Sequence, residues 1–288
     1  MVTVMTVAKP TLQKLQQIAQ QLPASPQVLA QLNDLLVDVN SGLDEIADLL
    51  RRDTALAARI IRISNSIAYG SSGGIASIEE AVNRVGFSEV YRLTGLASVA
   101  QMVDRNLPFY GLSAAQLRNN TLVVAFAMDS LAKSAGVDAR IAYTSGLMRL
   151  VGKLVLDHYA KSVAMPQEHF THSGLGGLLE WELALFGCTN ADVDAIVMSA
   201  WHFPVTITEP LRQHYFTQPP TGAHARMACL LNVACGVATE LGYGLPGEDK
   251  YWELLPEKVE MAGLLDHHIR QSAIDASVGF EAVKASLD

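Results

Sequence analysis

Residues Gly146 to Leu156 read Gly-Leu-Met-Arg-Leu-Val-Gly-Lys-Leu-Val-Leu, and this stretch tells more about the fold and its chemistry than any other. Arg149 and Leu150 stand side by side at its centre. A guanidinium is always charged and has no free lone pair, and a leucine side chain has no donor atom at all. Because proteins hold divalent cations with imidazole nitrogen and carboxylate oxygen atoms, neither residue can bind a metal ion.

On both sides of this stretch, apolar residues recur at helical spacing, and strand-like alternation is hard to find. One such helix face is formed by Val28, Leu29, Leu32, Leu35 and Leu36. Ser41 and Ser77 precede apolar runs, as side chains that cap helix starts do, and Gly86 is typical of a helix end. The apolar segment 227–238 is too short to cross a bilayer and indicates a buried helix. We therefore predict an all-α protein built from short, closely spaced helices.

The composition limits the classes of protein to consider. Half of the 288 residues are hydrophobic and 17% are charged, which is typical of a globular protein. The net charge of −8 argues against general binding to nucleic acid, since such binding depends on a positive field. Three cysteines without metal-ligand spacing indicate buried, reduced thiols, and the amino terminus does not resemble a signal peptide. We expect a cytoplasmic protein with no cofactor and no membrane insertion.

Several ordered motifs together resemble one known family. They are Leu22-Pro23-Ala24-Ser25-Pro26, Ile60 to Ser66 with Ala68-Tyr69-Gly70, Ile75 to Ile78 with Val85-Gly86, Gly146-Leu147, Gly152-Lys153, and Trp201-His202-Phe203-Pro204. This set is similar to the HDOD domain, a bacterial signalling module related to the HD metal-dependent phosphohydrolases. Members of that family commonly lack the full metal site.

The resemblance implies a multi-helix fold over residues 15–240. An amino-terminal helical lobe would cover about 15–108 and a central HD-like helical bundle about 112–240. Residues 241–288 would then form a carboxy-terminal helical extension. The pattern leaves open whether residues 223–288 complete the central bundle or form a separate cap.

Carried over residue by residue, the resemblance also places the metal ligands of the HD superfamily. The ligand positions fall on Asn119, Arg149, Leu150, Asn190, His214 and Asn232. A single histidine with neutral amides supplies neither the charge nor the geometry that a divalent ion needs. We therefore predict that the metal site is vestigial and that the chain has no catalytic residue.

Other conspicuous residues have a structural interpretation. The family signature comprises Asn65, Ser66, Tyr69, Gly70 and Gly86, and short polar side chains such as the first two commonly form turns at helix ends. Among the large aromatic residues, Trp201 is predicted to lie in the core, and Trp252, which lies beyond the well-matched region, is the better candidate for an interface residue.

For function, the resemblance implies a scaffold or output module in signal transduction, of the kind that serves two-component systems and response regulators. Its partners would be other signalling proteins acting in trans, namely a sensor kinase, a receiver-domain protein or a cyclic-dinucleotide enzyme. One alternative is a divergent phosphohydrolase, acting on nucleotides or cyclic dinucleotides with ligands elsewhere. Another is a small-molecule sensor in which Arg149 and His214 contact an anion or nucleotide in the vestigial cleft.

Overall fold

A computed structural model of the chain describes residues 9–22, 26–38, 41–65, 74–165 and 177–287. In these ranges the regular structure is helical, apart from an isolated bridge between Leu107 and Leu112, which confirms the all-α prediction. The amino-terminal helices are α1 (Leu12–Gln21), α2 (Pro26–Val37), α3 (Leu43–Arg51), α4 (Thr54–Ser64), α5 (Ile78–Val85) and α6 (Phe87–Val103). The later helices are α7 (Ala114–Ala135), α8 (Ala139–Met148), α9 (Val151–Ser162), α10 (Leu178–Phe186), α11 (Asn190–Ala200), α12 (Val205–Gln213), α13 (Ala225–Glu240), α14 (Pro256–Ala262) and α15 (Asp266–Leu287), with a short 3-10 helix at Asp249–Tyr251.

Capping side chains define several helix starts. Ser77 accepts a hydrogen bond from the Glu80 amide at 3.2 Å, so α5 starts as the sequence predicts. The start of α3 differs from the prediction at Ser41, because its N-cap is Gly42. There the Glu45 carboxylate accepts from the Gly42 amide at 3.0 Å, which satisfies that donor from within the helix.

The core is continuous from the amino-terminal helices to the last helix. Helix α7 lies at its centre and packs against α8, α13 and α15. The predicted buried helix at 227–238 is confirmed, since it forms most of α13 and is almost entirely buried. All three cysteines are free thiols, but Cys188 is only half-buried, contrary to prediction.

Two glycines allow the helices around the central stretch to approach closely. A Cβ atom at Gly146 would lie 2.8 Å from the Ala125 Cα in α7, and one at Gly152 would overlap the carbonyl group of Asn190 in α11. Any side chain at these positions would push the helices apart. The close packing at the two glycines thereby holds the segment between them, which includes Arg149, against α7 and α11.

The carboxy-terminal residues pack onto the central helices. In α7, Ser130 donates to the Asp275 carboxylate of α15 at 2.6 Å. The Asn232 amide of α13 donates to the Tyr251 carbonyl of the 3-10 helix at 2.9 Å. These contacts place the 3-10 helix and α15 on the same bundle as α7 and α13.

Among the described residues, no helix is by itself long and apolar enough to cross a membrane. Only α10 and α11 taken together satisfy length and composition criteria for a span, and they meet at a bend of 67°.

Candidate functional site

The junction between α8 and α9 directs two cationic side chains into the protein interior. Helix α8 ends at Met148, Arg149 and Leu150 form the break, and α9 starts at Val151. The side chains of Arg149 and Lys153 are 0% and 1% exposed. Because a buried charge is costly unless it is paired, both cations need a partner inside the core.

That partner is Glu248, which lies in the loop between α13 and the 3-10 helix and is also 0% exposed. Arg149 Nη2 lies 2.7 Å from Glu248 Oε2, and Lys153 Nζ lies 2.5 Å from Glu248 Oε1. The Tyr215 hydroxyl donates to Oε1 at 2.5 Å, and the indole of Trp252 donates to Oε2 at 3.1 Å. We refer to these five residues as the Glu248 cluster.

The Glu248 cluster is held together by charge as well as by hydrogen bonds. Burial alone would raise the pKa of the Glu248 carboxyl, but Arg149 and Lys153 lower it to about 2. Arg149 also lies over the ring of Trp252, with its guanidinium carbon 5.4 Å from the ring centroid. Burial, followed by the Glu248 charge, raises the pKa of Tyr215 well above its ordinary value. Glu248 is therefore ionised and Tyr215 remains a hydroxyl donor at neutral pH.

His214 lies beside this cluster as a neutral, buried imidazole. Its Nδ1 is 2.7 Å from the Leu211 carbonyl, so Nδ1 carries the proton, and the ring stacks on Trp252 at a centroid distance of 5.7 Å. Burial and the charge of Arg149 lower the pKa of His214 to about 3. The remaining nitrogen, Nε2, is buried and has no hydrogen-bond partner among the described residues.

A second buried group lies around Glu182 on α10. Asn190 donates to the Glu182 carboxylate through its backbone amide at 2.7 Å and through its side chain at 2.9 Å, and Tyr110 donates to it at 2.7 Å. Nearby, Asp194 accepts from the Gly152 amide at 2.6 Å. Burial raises the pKa of both the Glu182 and Asp194 carboxyls. This group ties α9, α10 and α11 together around the close contact at Gly152.

The six predicted metal-ligand positions make different contacts in the structure. Arg149 belongs to the Glu248 cluster and His214 borders it, whereas Asn190 belongs to the Glu182 group. Asn232 on α13 donates to the His214 carbonyl at 2.8 Å. The two remaining positions belong to neither group: Leu150 is a buried core residue, and Asn119 is half-buried on α7.

These residues do not suit a divalent metal ion. A guanidinium and an ammonium group lie where a metal ion would need ligands with free lone pairs, and the carboxylate that faces them is already paired with both. Among the described residues, no cluster of three or more histidine, cysteine, aspartate or glutamate side chains has a suitable arrangement.

The family signature at the end of α4 is partly described. The Asn65 side chain donates to the carbonyls of Ile61 and Ile75, at 3.0 and 2.8 Å, and accepts from the Ile75 amide at 2.7 Å. It thus ties the end of α4 to the chain that leads into α5. Gly86, at φ 83°, separates α5 from α6. Ser66, Tyr69 and Gly70 lie outside the described residues.

Sequence reasoning missed most of the Glu248 cluster. Trp201 is buried in the core as predicted, but Trp252 is only 3% exposed, so its assignment to an interface is wrong. Its indole is buried because it donates to Glu248 and stacks on His214. One available signal was Lys153, a single charged residue in the apolar run 150–156, which requires a buried partner. Nothing in the local sequence around Glu248 identifies it as that partner.

Comparison with known proteins identifies the fold. The sequence model of the HDOD domain matches residues 22–217. Among curated proteins, none matches the chain. A solved structure of an HDOD domain protein with unknown function from Geobacter sulfurreducens is similar, with 19% identity, a TM-score of 0.67, and coverage of 96% of this chain and 98% of that chain.

Two further solved structures share the fold. One is a candidate phosphohydrolase from Shewanella amazonensis SB2B, with 24% identity, a TM-score of 0.68, and coverage of 96% of this chain and 98% of that chain. The other is a candidate signal transduction protein from Marinobacter aquaeolei VT8, with 19% identity, a TM-score of 0.70, and coverage of 98% of this chain and 62% of that chain. At these identities the similarity concerns the fold alone.

Proposed function

The chain belongs to the HDOD domain family, and from this premise we propose that it is a regulatory protein that acts in signal transduction by binding other proteins, without hydrolase activity. The observation that carries this proposal is the Glu248 cluster. An HD phosphohydrolase needs an open metal centre, whereas here a guanidinium and an ammonium group both pair with one carboxylate in the core.

The chemistry of this centre supports a structural role. Metal-dependent hydrolysis needs an ion with an open coordination position that can activate water. Arg149 cannot lose its proton to become a ligand, and Arg149, Lys153, Tyr215 and Trp252 each already donate to Glu248. A site built in this way stabilises the packing of α8, α9 and the carboxy-terminal loop.

Because the Glu248 cluster is buried, we expect the exposed surfaces of the helices to carry the function. We propose that they bind a signalling protein in trans, such as a sensor kinase, a receiver-domain protein or a cyclic-dinucleotide enzyme. Exposed apolar side chains of the kind that mediate such contacts are Phe87 on α6, at 42% exposure, and Val205 on α12, at 55%.

The absence of hydrolase activity is tested by metal content and turnover. The protein is purified without chelator from culture supplemented with manganese and iron, and its metal is measured by mass spectrometry. We expect substoichiometric metal and no hydrolysis of cyclic dinucleotides with added Mn²⁺. A His267→Ala/His268→Ala variant removes an adjacent histidine pair, of which His267 is exposed and His268 half-buried, and serves as the control for surface-bound metal.

Near-stoichiometric metal that survives in this control, but is lost in a His214→Phe variant, would contradict the proposal and point to a divergent phosphohydrolase. The binding role is tested separately by placing photo-crosslinking residues at Phe87 and Val205, with Glu260 as an exposed polar control. We expect crosslinks to a signalling protein that forms a stable complex when both components are purified. No such complex with any signalling protein would contradict the binding role.

A further inference from the structure

The Glu248 cluster has the chemistry of an anion-binding site that the chain itself occupies. We propose that Arg149 and Lys153 form a site for a phosphate group, that Glu248 fills it as a resident anion, and that phosphate displaces Glu248 and its neighbours within the surrounding segment, residues 242–252. We refer to these residues as the Glu248 segment. This inference rests on the proposed loss of the metal ion and deepens it by naming what the same site binds.

The charges of the cluster are unbalanced. Arg149 and Lys153 provide two cations, whereas Glu248 provides one negative charge. The other buried carboxyls nearby, Glu182 and Asp194, accept their hydrogen bonds from groups outside the cluster. Burial raises the pKa of both, against the charges of Lys153 and Arg149, which lower it. A phosphate dianion would balance both cations, which a single carboxylate does not do.

The hydrogen-bonding groups around the carboxylate also suit a larger anion. The groups that face Glu248 are all N–H or O–H donors, and two of them, Arg149 and Tyr215, also bond to each other at 3.4 Å. In addition, the Nε of Arg149 is buried without a hydrogen-bond partner among the described residues. Phosphate has one more terminal oxygen than a carboxylate and so can accept from this unused donor.

The Glu248 segment is attached mainly through side chains. Its backbone hydrogen bonds are local, as between the Glu248 amide and the Leu245 carbonyl or between the Tyr251 amide and the Glu248 carbonyl. Its turns depend on Gly242 and Gly247, at φ 82° and 80°. At the centre of the segment, its polar attachment to the bundle is through the side chain of Glu248. Near its carboxy-terminal end, Lys258 also donates to the Tyr251 carbonyl at 2.8 Å.

Other contacts would oppose displacement and define how far it extends. Asn120 and Asn232 donate to backbone carbonyls of Tyr243 and Tyr251, at 2.7 and 2.9 Å, near the two ends of the segment. Trp252 is buried against His214. We therefore place the moving part between these two anchors, with Glu248 near its centre.

The first arm of the test asks whether the site binds phosphate once its resident anion is removed. Glu248→Ala is prepared in chelator, and its melting temperature is measured in inorganic phosphate and in sodium chloride of equal ionic strength. We expect a saturable rise in phosphate that is absent from Glu248→Ala/Arg149→Met. Glu180→Ala is the matched control, because it removes an exposed carboxylate that faces Lys250 of the same segment.

The second arm uses the unmodified protein and hydrogen exchange. Phosphate should speed amide exchange in residues 244–250 by about tenfold while leaving α7 unchanged, since local opening is read by exchange rates. If Glu248→Ala does not fold, Glu248→Gln takes its place in the first arm. The proposal is overturned if phosphate stabilises neither variant, or if it leaves exchange in the segment of the unmodified protein unchanged. The proposed loss of the metal ion is tested separately by the metal content, so its failure can be distinguished from a failure to bind phosphate.

Discussion

Removing the charge of Glu248 should destabilise the protein far more than its single position in a loop suggests. Glu248→Gln keeps the size of the side chain and one acceptor oxygen but leaves Arg149 and Lys153 buried without an anion. Breaking a buried ion pair in this way costs about 3–5 kcal/mol of unfolding free energy.

The pKa of Glu248 provides an independent value for the same quantity. Its pKa falls from an ordinary 4.5 to about 2 on folding. At about 1.36 kcal/mol for each pKa unit, this shift contributes roughly 3 kcal/mol at neutral pH. Because the pKa is lowered on folding, this contribution is complete above pH 4.5 and is lost as the pH falls towards 2.

Urea unfolding followed by circular dichroism at pH 7 measures this effect. Glu180→Gln is the control, since its carboxylate is 58% exposed and pairs with Lys250, and it should change the free energy of unfolding by less than about 1 kcal/mol. If Glu248→Gln also changed it by less than about 1 kcal/mol, the cluster would not stabilise the fold and the reasoning would be refuted.

Three further substitutions test other parts of the structure. Gly152→Ala should destabilise by about 1–3 kcal/mol in urea unfolding, because the new methyl group overlaps a carbonyl of α11, whereas Gly74→Ala enters open space and should not. A histidine whose pKa is lowered on folding makes the free energy of unfolding fall as the pH drops from 6.5 to about 3. His214→Phe should therefore reduce the slope of unfolding free energy against pH in that range, and an unchanged slope would contradict this. Asn65→Ala should lower the melting temperature by removing hydrogen bonds worth about 1 kcal/mol each. Asn83→Ala, which changes an exposed residue of α5, is the control, and an equal effect of that substitution would argue against a specific turn at Asn65.

At the centre of the fold, the sequence predicts that metal ligands are missing but does not predict the Glu248 cluster. Arg149 and Leu150 exclude metal ligation by their chemistry, which any reader of the sequence can see. The anion that pairs with Arg149 lies 99 residues away, in a loop whose local pattern is that of a turn. Spacing along a helix reveals partners three or four residues apart, but no periodicity connects such distant residues.

The error at Trp252 has the same origin. Its position beyond the well-matched region suggested an exposed anchor, yet it is buried because the carboxy-terminal chain folds back onto α12 and α13. Asn190 shows the opposite case, since its place at the first turn of α11 follows from local capping by Thr189. Its bond to Glu182 nevertheless depends on how α10 and α11 meet.

The sequence by itself determined the helical class, the family motifs and the residue types at the predicted metal-ligand positions, because each depends on residue type and on local spacing. The tertiary structure alone decided that Arg149 and Lys153 share Glu248 and that Asn190 joins a different group. It also decided that the last residues complete the core. Those outcomes depend on which side chains meet after distant helices pack, and burial then makes the pairing of charges obligatory.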